Sequence, residues 1–475
     1  MSANTVPLTG YQRRVLFVAI LASFVSILDG SVVNLALPAI SRDLGGGLSS
    51  QQWIVDAYML TLGSLILVAG SLSDLFGRVR ILIWGLIGFG ITSVLCGIAS
   101  SDMMLILARG LQGVAGALLV PSSLALIIAT FSGTAQSKAI GQWTAWTGAS
   151  TLVAPLVGGL AVDFLSWQFV FFINLLPIAV CLPMLFRLRD SDAARDPAAM
   201  VDVLGAALAV VGLGGVVYAM IEQASFGWRS PVVLIPLIVG LLALVGFLWH
   251  ERRTAQPMMP LSLFSLRNFW VGNISTFFIY GALSLGFFAL GLYLQQVAGL
   301  SATIAGIAML PSTVLMLLLS SWFGSLSGRF GPRLFMALGP IIAGAGFFWL
   351  LSLTEAFNYW WQVLPGILIF GLGLAITVAP LTSGILGSVS AERAGIGSAV
   401  NNAIARIAGL VTVALAGVVM GGVLDTESTR LVSLVTAILL VIGGVISAFG
   451  IQNPRPATVL SDSRDPGSDS SPTVA

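Results

Sequence analysis

The sequence predicts an all-α polytopic membrane protein with two six-helix pseudo-repeat bundles and two further membrane helices between them. Three observations predict it. The charge content is too low to cover a soluble fold, the apolar runs have bilayer length, and a short motif recurs at equivalent places in the two halves.

The chain has 475 residues, of which 57% are hydrophobic and 8% charged. A soluble domain carries about 25% charged residues, so these residues cannot supply a water-facing surface and the bilayer is the expected solvent. The net charge of +2 gives no electrostatic basis for nucleic-acid binding. Cys96 and Cys181 lie inside apolar runs and are expected as buried free thiols. The only lysine, Lys138, sits in "TAQSKAI", so no phosphate-binding Gly-x-x-x-x-Gly-Lys loop exists. The single histidine, His250, excludes a His-based triad or His metal cluster and is expected as an interface side chain at a span end. An enzyme is therefore not expected, nor a cofactor or metal. Twenty of the basic residues are Arg, a skew that points to a GC-rich bacterial genome.

A membrane helix needs about 20 apolar residues. Such runs lie near 15–38, 53–73, 80–99, 104–129, 139–161, 169–187, 203–222, 231–249, 269–294, 303–323, 333–353, 361–386, 396–422 and 431–450. The first reads as a span and not a cleaved signal, because Asp29 interrupts it and more spans of the same kind follow. An even count puts both termini on one side. With the N-terminus inside, sixteen basic residues fall in cytoplasmic segments, against Arg42, Arg229 and Arg430 outside. That bias orients both termini to the cytoplasm. Trp53, Trp84, Trp167, Trp228, Trp249, Trp270 and Trp360 fall at span ends, where interface anchors belong.

"GSLSDLFGRVRIL" at 70–82 follows the second span, and "GSLSGRFGPRLFM" at 324–336 follows the tenth. Six of the first eight positions are identical, which implies two related halves. The organisation expected is an N-terminal bundle over 1–188, two linking helices within 189–255, a C-terminal bundle over 256–452, and a Pro-, Ser- and Asp-rich disordered tail over 453–475.

Four stretches resemble the major facilitator superfamily, specifically its fourteen-span drug:proton antiporter branch. They are the loop "GSLSDLFGRVR", the first-helix "LDGSVVNLALP" at 28–38, the fourth-helix "RGLQGVAGA" at 109–117 and the fifth-helix "GASTLVAPLVGG" at 148–159. The chain departs from the family pattern at Leu75, Val79, Ala154, Gln168, Phe169 and Gly328. The resemblance implies the major facilitator fold and proton-coupled efflux of hydrophobic or cationic drugs by alternating access. It also implies a working monomer in the bacterial cytoplasmic membrane. An importer, or an exporter of a lipid or other metabolite, fits the same scaffold.

At 1.5 Å per residue, Asp29 lies roughly 22 Å from the inner boundary, with Asp56 about 5 Å and Arg109 roughly 8 Å below the outer one. Ionisable groups at such depth are expected to be functional. Asp29, Asp56, Arg109, Glu222 and Arg406 are therefore the candidates for proton and substrate coupling. The resemblance adds Asn34 and Gln112 through the motifs that hold them. In the loop, Gly70 and Gly77 are expected to permit tight turns, and Asp74, Arg78 and Arg80 to form gating charge contacts. In the fifth span, Gly148, Pro155, Gly158 and Gly159 are expected to pack closely against a neighbour. Phe278, Tyr280, Phe287, Met309 and Met316 are candidates to line a tolerant cavity.

Overall fold

The fold was analysed in a computed structural model that describes residues 8–188, 201–390 and 393–453. Most of the polar connection after Arg187, and the tail beyond Asn453, lie outside the described residues. Sixteen α-helices account for fourteen membrane-length spans among the described residues, with no strand. The first eight are α1 (Gly10–Leu44), α2 (Leu48–Phe76), α3 (Arg78–Gly97), α4 (Asp102–Ala117), α5 (Leu119–Thr130), α6 (Gly133–Phe164), α7 (Phe169–Phe172) and α8 (Leu175–Phe186). Two more follow, α9 (Val203–Phe226) and α10 (Pro231–Arg253). The last six are α11 (Arg267–Leu292), α12 (Ala302–Phe330), α13 (Pro332–Trp349), α14 (Leu364–Leu386), α15 (Ala394–Met420) and α16 (Thr426–Gly450).

The helices match the apolar runs and extend several residues beyond many of them. Capping side chains carry them past the hydrocarbon edge. Thr9 caps α1 through the Gln12 amide, and Ser301 caps α12 through the Ile304 amide. Two spans are interrupted. The fourth breaks at Leu118 and the sixth at Ile173–Asn174. Proline explains both, since Pro121 and Pro177 have no N–H to bond the carbonyls four residues earlier, at Ala117 and Ile173.

The repeated motif has one backbone solution. Gly77, the single residue between α2 and α3, has φ 98° and ψ 138°. Gly331, between α12 and α13, has φ 83° and ψ 155°. Both values lie where a side chain is strained, so the echo records a shared one-residue turn. Gly70 makes no turn, contrary to the sequence expectation. It lies inside α2, because the helix persists until Phe76.

A hydrophobic core joins the two halves at the end where α2 begins. It contains Val32, Leu37 and Ile40 of α1 together with Leu285, Phe288 and Leu292 of α11 and Val413, Ala416 and Met420 of α15. At the opposite end, where Gly77 and Gly331 lie, the N-terminal half keeps its own core of α1, α2, α3, α5 and α8 residues such as Val15, Leu82, Phe89 and Leu185. There α6 packs through Trp143, while Gly141, Gln142, Thr144, Ala145 and Trp146 are exposed. Toward that end α6 is thus exposed on most of its faces.

Helices α9 and α10 pair with each other, and α9 lies against both α2 and α15. Leu213, Val217 and Ile221 of α9 meet Leu410 and Ala414 of α15. His250 is not a simple interface side chain. Its Nε2 is 2.8 Å from Asp202 Oδ1, and Asp202 also accepts from the Gly205 amide, so one carboxylate caps α9 and ties it to α10. Trp167 likewise departs from the anchor role. It is buried, and its indole N–H donates to Asp43 Oδ2 at 2.7 Å.

A valine at Gly77 would have to adopt the strained backbone, at a cost of about 1–3 kcal/mol. Gly77→Val should insert but melt several degrees lower in detergent. Gly70→Ala, whose added methyl meets nothing within 4 Å, should leave the melting point unchanged or raised. Equal melting of the two variants would mean that the turn carries no conformational constraint.

Candidate functional site

The site has two parts, a buried polar network inside the N-terminal half and a cavity between the halves. The network centres on Asp29 of α1 and Arg109 of α4, which are 0% and 1% exposed. Arg109 donates to Asp29 Oδ2 at 2.5 Å and to Gln112 Oε1 at 2.6 Å. Gln112, one turn along α4, donates to Asp29 Oδ1 at 3.1 Å and to Ser93 Oγ of α3 at 2.9 Å. Asn174, at the break between α7 and α8, donates to Asp29 Oδ1 at 2.7 Å. Arg109 Nε also donates to the Ile54 carbonyl of α2 at 3.2 Å, and its guanidinium lies 4.2 Å above the Tyr58 ring. Tyr58 in turn bonds Ser26 of α1 at 3.0 Å.

Sequence depth puts Asp29, Asp56 and Arg109 in one layer. The structure brings Asp29 and Arg109 together and leaves Asp56 apart. Asp29 accepts from three side chains, does not line the cavity, and has its charge compensated where it stands. Asp56 is equally buried, yet neither carboxylate oxygen has a hydrogen-bond partner. Its helical face is defined by its neighbours one turn to either side. Gln52 donates to the Val413 and Ala414 carbonyls of α15 at 2.6 and 3.1 Å. A Cβ at Gly63 would meet Arg406 and Ile407 of α15. Trp53 and Leu60 face the α9 cluster. Asp56 thus sits where the two halves and α9 converge.

Glu222 does not reach the cavity either. Its Oε1 accepts from Trp53 Nε1 at 2.8 Å and from Ser49 Oγ at 3.5 Å, fastening the end of α9 to α2.

The cavity has a volume of about 350 Å³. Gly30, Ser31, Asn34 and Leu35 of α1 line it, with Val55 and Met59 of α2 and Gly148 and Pro155 of α6. The facing half supplies Tyr280, Ser284 and Phe287 of α11, Met309, Thr313 and Met316 of α12, Thr377 of α14 and Arg406 of α15, among others. Four of the five sequence candidates line it. Phe278 does not, because it packs on Phe277 and lies at the position of Gly443 in α16. Asn34 Oδ1 is buried without a partner.

The end of the cavity near α2's first turn is sealed across the halves. Asp163 of α6 accepts from the Ala302 and Thr303 amides of α12 at 3.1 and 2.8 Å, a carboxylate placed on a helix N-terminus. One turn earlier, a Cβ at Gly159 would lie 2.6 Å from Thr303 Cα, so the backbones touch there. Gly158 serves a different neighbour, Val32 of α1. Gly148 makes no such approach and lines the cavity, contrary to the expected close packing. At the opposite end, Arg78 and Arg80 open α3, and the Asp74 side chain lies outside the described residues.

Sequence reasoning missed Asp163, Gln52, Ser93, Tyr58 and Asn174. Asn174 ends the stretch "SWQFVFFIN", three residues ahead of Pro177, and nothing in that position makes its contact to Asp29 legible. A carboxylate within the last turn of one span, with a Ser-capped helix start in the other half, was the available signal for Asp163.

Asp29→Asn strands Arg109 in the protein interior. It should cost about 3–5 kcal/mol and lower membrane abundance and melting temperature. Arg109→Gln in the same chain should recover part of both, because the two side chains share one network. Normal abundance and melting of Asp29→Asn would overturn a structural role for the pair.

The Major Facilitator Superfamily profile matches residues 19–413. The chain is 34% identical over 411 residues to the methylenomycin A resistance protein of Bacillus subtilis, covering 86% of this chain and 87% of that one. It is 35% identical over 416 residues to the puromycin resistance protein pur8 of Streptomyces alboniger, covering 86% and 81%. It is 34% identical over 411 residues to the multidrug resistance protein Stp of Mycobacterium tuberculosis, covering 84% and 74%. Among solved structures, the peptide transporter POT in complex with sulfate superposes with a TM-score of 0.69 over 93% of this chain and 96% of that one. At 16% identity that likeness concerns the fold alone.

Proposed function

The chain belongs to the Major Facilitator Superfamily, and from that premise we propose that it exports small hydrophobic drugs or antibiotics from a bacterial cell in exchange for protons, by alternating access. The observation that carries the reading is a cavity lined by both halves that is closed by a joint core at one end, while α6 is exposed on most of its faces toward the other. Relatives named for resistance to methylenomycin A, puromycin and multiple drugs favour export as the direction. The basic bias orients the Gly77 end and both termini to the cytoplasm. On that orientation the cavity opens inward, and the contacts of Asp163, Gln52 and Gly159 form the outer gate. The working unit is a monomer, since the cavity is built within one chain.

Rocking the halves must slide α2 against α15 and part α6 from α12. Asp29 travels as part of a compensated cluster within one half. Asp56 faces the sliding seam. A carboxylate sealed there without a partner costs far more than a carboxyl, so a proton taken up from outside while the seam is open lets the seam close over Asp56, and its release toward the inner side before the seam reopens completes one proton inward per cycle. Asp56 is therefore the group assigned to proton coupling. A proton crossing 100 mV supplies about 2.3 kcal/mol, and each pH unit adds about 1.4 kcal/mol, enough to sustain a gradient well above tenfold.

Asp56→Asn keeps the shape and removes the proton site. In proteoliposomes, substrate-induced proton flux should fall at least tenfold while abundance stays normal, and Asp56→Glu should retain partial flux with a shifted pH profile. Unchanged flux in Asp56→Asn would remove the carboxylate from the mechanism.

Orientation is tested separately with Ser230→Cys, which should label only from outside the cell. The native thiols of Cys96 and Cys181 are buried and give little background.

A further inference from the structure

Among the described residues, Arg406 is the one charged residue that lines the cavity, and no Asp or Glu does. The acidic groups that the sequence places within or at the ends of spans face elsewhere. Asp29 is enclosed with Arg109, Asp56 lies at the α2–α15 seam, and Glu222 is bonded to Trp53. Arg406 itself is only partly buried. Unlike Arg109, it has no hydrogen-bond or ion-pair partner among the described residues. Its stem rests against Gly63, where even a methyl would lie 3.3 Å from Arg406 Cβ, so α2 closes the space behind it and the head group is left to the cavity. The unpartnered Asn34 Oδ1, the Tyr280 ring and the Thr313 side chain are polar neighbours in the same lining, and Phe287, Met309 and Met316 form an apolar bed.

We infer that the cavity takes amphipathic organic anions, compounds with a carboxylate, enolate or phenolate on a flat apolar body, whose charge pairs with Arg406 while the body lies against Phe287 and the two methionines. This rests on the export reading above and narrows its substrate class from small hydrophobic drugs to amphipathic acids, in place of the cations that the family resemblance implies. The chemistry favours it on three counts. A guanidinium presents a planar fork of donors that matches a carboxylate or enolate. Polarizable Met and aromatic side chains accept apolar bodies of varied shape. A cation would enter an apolar space holding a fixed positive charge and no counter-charge, which is unfavourable at any dielectric constant.

The charge balance of transport follows. One proton inward for one anion outward moves two charges in the same electrical sense, so an inside-negative potential drives both halves of the exchange. Export of a cation for one proton would move none.

Matched probes test the proposal: 2-naphthoate, methyl 2-naphthoate and 2-naphthylmethylammonium share one ring body and differ in charge. Equilibrium binding to the purified full chain should rank 2-naphthoate at least tenfold tighter than the ammonium. Arg406→Gln should abolish that preference while leaving the ester's affinity within about twofold, and Arg406→Lys should keep the sign of the preference. A melting profile equal to the parent's excludes misfolding of either variant. An ammonium bound as tightly as the naphthoate, a preference that survives Arg406→Gln, or no binding of any probe would overturn the assignment. Vesicle transport separates this from the export reading. Arg406-dependent naphthoate binding without export would sink export alone, whereas proton-coupled export of the ammonium but not the naphthoate would sink the anion assignment alone.

Discussion

A guanidinium taken out of water must be compensated in place, and the N-terminal half is arranged around that requirement. Arg109 reaches α1 through Asp29, α2 through the Ile54 carbonyl and the Tyr58 ring, and Gln112 on its own helix. Gln112 and Asn174 then extend the network to α3 and to the interrupted sixth span. Five spans are thereby held in one register by directional bonds. Apolar contacts alone would allow helices to slide, because lipid tails compete equally well for their surfaces. The break after Phe172, forced by Pro177, brings Asn174 to where it can complete the carboxylate's partners.

Contacts between the halves are of another kind. Gln52 and Asp163 donate to or accept from backbone groups of α15 and α12, and Gly159 meets the α12 backbone directly. No ion pair joins the halves among the described residues. Such contacts have modest net strength and leave no unpaired side-chain charge on the opposite half when they part. A rigid half and a separable seam are what rocking requires.

Ionisable groups divide along the same line. Charges inside the N-terminal half are paired, as in Asp29–Arg109, and those of the linking helices fasten one helix to the next, as with Asp202–His250 and Glu222–Trp53. Charges at the seam and in the cavity, Asp56 and Arg406, have no hydrogen-bond or ion-pair partner among the described residues. A carboxylate buried without a partner is costly; the proton proposed for Asp56 and the anionic cargo proposed for Arg406 would each supply the missing partner.

The sequence by itself determined the all-helical membrane class and the fourteen spans, and it led to an expectation of two related halves and of a depth for each charge. Each of these depends on composition or on distance along the chain, and a helix converts residue number to depth at 1.5 Å per step. The glycine turns at Gly77 and Gly331 were legible for the same reason, since both are local. Tertiary structure alone decided which charges met. Helices that are apolar on every side carry no amphipathic stripe to set their rotation, so sequence could rank Asp29 and Asp56 by depth but not by neighbour. Packing turned Asp29 into the protein and toward Arg109, left Asp56 on the seam, and made Arg406 the one charge of the cavity lining among the described residues.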